Sequence, residues 1–69
     1  MKRLKTLRIA RGWSGAKLCR EAEIPPSLLS QTEHGMTRPY PVQLARIAKA
    51  LDWTGEHEAL LDDVDNAWD

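Results

Sequence analysis

The sequence predicts an all-α domain of five short helices. Three observations predict it. Apolar residues recur at three- and four-residue spacing, with no alternating strand pattern. Serine, proline and glycine punctuate the chain at intervals that suit short helices. The 69 residues, 42 % of them hydrophobic, allow one modest core and leave no room for a second domain.

Each element has a local reason. Leu4, Leu7 and Arg8, with Ile9 beside them, predict a first helix ending near Arg11, with Gly12 as its stop. Ser14 is a good N-cap for a second helix running to about Ala22, with Ala16, Cys19 and Ala22 inward and Leu18 nearby. Glu23-Ile24-Pro25-Pro26 then breaks the pattern. Proline disfavours helix in the residue before it, so Ile24 is extended and Pro26 can open a third helix. That helix runs to about His34, where Gly35 stops it, and Met36 to Tyr40 form a loop. Pro41 starts a fourth, with Leu44, Ile47, Ala48 and Leu51 at core spacing. Thr54 is the expected cap of a fifth helix with Leu60, Leu61 and Val64 apolar. The domain is expected over residues 1–65, with 66–69 fraying.

Several classes are excluded. No apolar run approaches the roughly 18 residues of a membrane span. The basic start, Met1-Lys2-Arg3-Leu4-Lys5, lacks the apolar stretch of a secretory signal, so a cytoplasmic location is expected. Cys19 is the only cysteine, so there is no internal disulfide and no cysteine-based zinc cage. It suits a buried, inert thiol. His34 and His57 lie far apart in sequence and read as single surface histidines. No metal, no cofactor and no enzyme are expected, since no phosphate loop or nucleophile–base arrangement occurs.

Charge is segregated under a formal net charge of zero. Residues 1–20 carry Lys2, Arg3, Lys5, Arg8, Arg11, Lys17 and Arg20 and no acid. Residues 52–69 carry Asp52, Glu56, Glu58, Asp62, Asp63, Asp65 and Asp69 and no Lys or Arg. Such a chain can present a basic face to a polyanion. Alternatively, the two ends are simply solvated or attract one another.

The short break between the second and third helices is compatible with a helix-turn-helix, and equally with an αα-hairpin of an ordinary bundle. Further residues carry a resemblance: Leu4-x-x-Leu7-Arg8, Arg11-Gly12-Trp13-Ser14, Lys17-Leu18-Cys19, Ile24, Ser27, Leu29-Ser30, Glu33-x-Gly35, Arg38-Pro39, and Leu44-x-x-Ile47-Ala48-Lys49-Ala50-Leu51. In this order, over residues 4–61, they resemble the phage repressor and Cro-type helix-turn-helix family, the XRE family. The resemblance implies a compact, lambda-repressor-like bundle of five short helices, the third in the DNA major groove and the second crossing the backbone. It implies a structural ion pair between Arg8 and Glu33, fixing the first helix against the end of the third; otherwise the two are separate surface charges. It also makes Trp13 and Trp53 core residues, whereas Trp68 either folds back, packs on another subunit or lies in a loose tail.

The resemblance places base contacts on the first turns of the third helix, at Pro26, Ser27 and Gln31, with Leu28 and Pro25 at the margin. Ser27, Ser30, Gln31 and His34 share one polar helix face. Gln31 is the best reader, because its amide can bond adenine twice. Phosphate contacts are expected from Arg38, from the Thr37 hydroxyl and from Lys17. Three departures weaken the pattern: Gly15 where the family has glutamine, Glu23 where the turn usually has glycine, and the pair Pro25-Pro26 in place of polar residues.

The function expected is sequence-specific binding of double-stranded DNA by a small transcriptional regulator, a repressor by occupancy, since no chain remains for an effector domain. The resemblance implies a homodimer on a palindromic site, joined through the fourth and fifth helices or the loop between the third and fourth. The alternative is a helix-turn-helix scaffold serving as a protein-interaction module, antitoxin- or adaptor-like, in which the acidic C-terminal segment binds a basic protein partner or shields the DNA face.

Overall fold

A computed structural model describes residues 1–64, and its elements follow the local signals closely. Helix α1 spans Arg3–Ala10, α2 Gly15–Ala22, α3 Pro26–Glu33 and α4 Pro41–Ala50, followed by a 3-10 helix at His57–Leu61. Gly12 and Gly35 end α1 and α3 at φ 72° and 74°, a left-handed conformation that costs glycine little. The Ser14 hydroxyl accepts the Lys17 N–H at 3.1 Å and caps α2. Pro26 and Pro41 each stand in the first turn of their helices, where a missing N–H costs nothing. The Tyr40 N–H donates to Gln43 Oε1 at 2.9 Å, closing the entry to α4.

Leu4, Leu18, Leu44, Ile47 and Leu60 fill the centre, with Cys19, Ala22, Ile24, Leu29, Ala48 and Leu51 around them. Helix α2 packs on both α3 and α4, and the 3-10 helix closes the core by packing on α4 and α1. Buried Thr32 and Thr6 satisfy their hydroxyls locally, donating to Leu28 O at 2.7 Å and Arg3 O at 2.6 Å. Trp13 and Trp53 are half-buried against the core.

Two expectations are corrected. The fifth helix is a 3-10 segment of 5 residues, and Glu56 rather than Thr54 precedes it. Its continuation is pulled straight by the other end of the chain. Lys2 and Asp63 form an antiparallel bridge, with Arg3 N–H donating to Asp62 O and Val64 N–H to Met1 O, both at 2.8 Å. Val64 thus belongs to a terminal clasp. Ala16 is exposed rather than inward. The buried face of α2 is Leu18, Cys19 and Ala22, and a residue two positions before Leu18 falls on the opposite side. The end of the expected domain at residue 65, the fraying of 66–69 and the placement of Trp68 lie outside the described residues.

Candidate nucleic-acid interface

The turn between α2 and α3 is built from Glu23, Ile24 and Pro25. Glu23 takes φ 56° and ψ 47°, the left-handed conformation that the sequence offers no glycine to relieve. Ile24 is buried, and its N–H donates to Cys19 O at 3.0 Å. The two prolines then hold the chain extended into α3, since Pro25 lies at φ −70° and ψ 146°.

Helix α3 has two faces. Leu29 and Thr32 are buried. Pro26, Ser27, Ser30, Gln31 and His34 are exposed, so the structure brings the expected readers together on one open face. Leu28 is half-buried and packs against the core, leaving only part of its side chain to a ligand. His34 Nδ1 lies 2.7 Å from Ser30 O; a carbonyl only accepts, so Nδ1 carries the hydrogen in this contact.

One charged pair anchors this helix. Arg8 Nε and Nη2 donate to Glu33 Oε2 and Oε1 at 2.9 and 3.2 Å, and Arg8 Nη1 donates to Trp13 O at 2.9 Å. The side chains are 12 % and 10 % exposed, so the fork is largely out of water and ties α1 to the end of α3. Burial pushes the nearby Cys19 thiol above its ordinary range; the Glu33 carboxylate adds to this and the Arg8 guanidinium opposes it. That environment suits an unreactive thiol.

The cations around the face differ in how free they are. Lys17 Nζ stands 3.9 Å from Glu21 Oε2 and over the Trp13 ring, where Arg11 also lies. Thr37 is half-buried. Arg38 is exposed, but its Nη2 is engaged by Glu58 Oε2 from the 3-10 helix. Reasoning from sequence missed Glu58. Charge segregation signals only the two pairs that join the ends of the chain, Lys2–Asp63 and Arg11–Asp52; Arg38 lies outside the basic stretch, so nothing in the sequence marks its pairing with Glu58.

Gly15 answers no steric demand. A Cβ there would meet only Leu29, at an ordinary 3.6 Å. A shallow pocket of about 220 Å³ opens at this place between α2 and α3, bordered by Gly15, Cys19, Pro26 and Ser30. Among the described residues no three His, Cys, Asp or Glu side chains gather as a metal site. None of the described helices is long and apolar enough to cross a membrane.

A short three-residue turn between two packed helices, with an open polar face on the second of them, is the arrangement of a helix-turn-helix. A family model described as "Helix-turn-helix domain" matches residues 2–61. No curated protein and no solved structure matches the chain. The matched span runs from the first residues of the clasp to the end of the 3-10 helix, and the chain belongs to the helix-turn-helix domain family.

Proposed function

We propose that the protein is a sequence-specific binder of double-stranded DNA acting as a small transcriptional regulator, a repressor by occupancy of its site. The observation that carries this reading is the exposed face of α3, where Ser27, Ser30, Gln31 and His34 stand on a helix held by the Arg8–Glu33 fork. Gln31 reads adenine through its amide, Ser27 adds a less selective contact, and Pro26 and the exposed part of Leu28 pack on thymine methyls. Arg38, Thr37 and Lys17 bind phosphates and set the register. A homodimer on a palindrome suits the loop after α3 and the start of α4, because Met36 and Tyr40 in the loop and Val42 in the helix are 76 %, 73 % and 59 % exposed and offer an apolar surface to a second copy.

Selection from random duplexes, followed by a salt titration of the enriched sequence, tests this reading. An enriched palindrome bound well above random duplex supports it. Gln31→Ala should then cost about 1–3 kcal/mol on that site and relax its sequence preference. Arg38→Ala should weaken all duplexes and reduce the log–log salt slope by about 0.9. Binding without enrichment would remove the sequence-specific part. A chain that binds no duplex at moderate salt, yet captures a protein through its acidic segment, would establish the interaction-module reading instead.

A further inference from the structure

Two cations border one surface pocket at the end of α3. Lys2 and Arg38 line a hollow of about 190 Å³ together with Thr32, Gly35 and Thr37. The Lys2 stem runs past Gly35, where its Cε would lie at an ordinary 3.6 Å from a Cβ. Both cations are engaged from the same acidic stretch of chain. Glu58 holds Arg38, and Asp63 Oδ1 and Oδ2 lie 3.4 and 3.5 Å from Lys2 Nζ. The two acids are positioned by backbone: Glu58 by the 3-10 helix packed on α4, Asp63 by the bridge to Lys2.

We propose that the segment from Glu58 to Asp63 is an internal competitor of the DNA backbone, its carboxylates occupying in the free protein the cations that Arg38 and Lys2 offer to a phosphate. The inference rests on the DNA-binding reading above and adds Lys2 to the phosphate contacts. A carboxylate and a phosphodiester both present anionic oxygens to a guanidinium or an ammonium, so one can replace the other. Exchange is easiest at the first pair, where Arg38 and Glu58 are 68 % and 56 % exposed; at the second, Asp63 is 75 % exposed but Lys2 only 20 %, so water reaches that pair from the Asp63 side. Exposed pairs of this kind are weak, so each reduces DNA affinity by about two- to five-fold at low salt. Screening weakens the internal pairs as salt rises, and the penalty shrinks with them.

The test is fluorescence anisotropy with a short labelled duplex of mixed sequence, at low and at high salt. The variants are Glu58→Gln, Arg38→Gln and the double variant, with Asp63→Asn, Lys2→Gln and their double variant as the parallel cycle. Glu56→Gln, an exposed acid close by in the chain, controls for charge alone. Thermal melts check that each variant folds. Glu58→Gln and Asp63→Asn should each tighten binding about two- to five-fold at low salt and have little effect at high salt. Each gain should vanish once its own cation is removed, and Glu56→Gln should gain less. An equal gain in the Arg38→Gln background, or an equal gain from Glu56→Gln, would reduce the effect to net charge and overturn the competition. Weaker binding by Arg38→Gln with Glu58→Gln silent would overturn the competition and leave the DNA-binding reading standing. An unchanged affinity in Arg38→Gln overturns it too, and a wild-type chain that binds no duplex removes both.

Discussion

Glu33→Ala strips the counter-charge from Arg8, whose side chain is only 12 % exposed, and leaves it the single bond to Trp13 O at 2.9 Å. Breaking a desolvated pair from one side costs about 3–5 kcal/mol, because a charge stays buried without a partner. A chain of 69 residues holds a total stability of roughly 3–10 kcal/mol. The substitution therefore takes a third or more of it and lowers the melting temperature by at least about 12 °C, at about 4–8 °C per kcal/mol. Glu33→Gln is milder: it keeps one acceptor, loses one of the two bonds at 2.9 and 3.2 Å, and should cost about 1.5–3 kcal/mol. Arg8→Met with Glu33→Leu removes both charges and should recover most of the loss. Urea unfolding followed by tryptophan fluorescence compares the wild type with these variants and with the singles Arg8→Met and Glu33→Leu. A loss under about 1 kcal/mol in Glu33→Ala, or a double variant as weak as the two single losses added, would refute the claim that this fork holds α3.

Other positions give further tests. Glu23→Gly should raise stability by up to about 1 kcal/mol, since the left-handed backbone at φ 56° costs a residue with a Cβ more than glycine's extra chain entropy; a lower melting temperature would contradict the strain. The Cys19 thiol, pushed above its ordinary 9.0 by burial, binds its proton more tightly in the folded chain than in the unfolded one. Its contribution is therefore complete below the unfolded-state value and declines as pH rises through and above about 9. Cys19→Ala should show a smaller drop in urea midpoint between neutral and alkaline pH than the wild type, and identical drops would count against the burial effect.

What was legible in the sequence was mostly local. Ser14, Pro26 and Pro41 mark helix starts, and Gly12 and Gly35 mark helix stops, because caps and φ restrictions act within a few residues. The open face of α3 follows from the same local periodicity. The misses depend on distant chain. Nothing between Thr54 and Val64 shows that pairing with Met1–Arg3 draws residues 62–64 out of a helix. The three-residue break fits several packings, and family register separates them. Arg38 was visible as a loop cation, but its carboxylate partner lies 20 residues on, beyond any periodic pattern. Ala16 failed for a smaller reason: an alanine is apolar enough to suit either side of a helix, so its phase was decided by Leu18 and Cys19.

The clasp between the first and last described residues also sets an order of events in time. It joins groups 63 positions apart, among the longest loops this chain can close, so its formation gains little until the helices between are packed. It should then be the last part of the fold to assemble and the first to let go. Its amides at Arg3 and Val64 should exchange with solvent far faster than those of α4, through an opening that leaves the bundle intact. Such an opening would lift Asp63 away from Lys2 and leave a more cationic surface without unfolding the bundle.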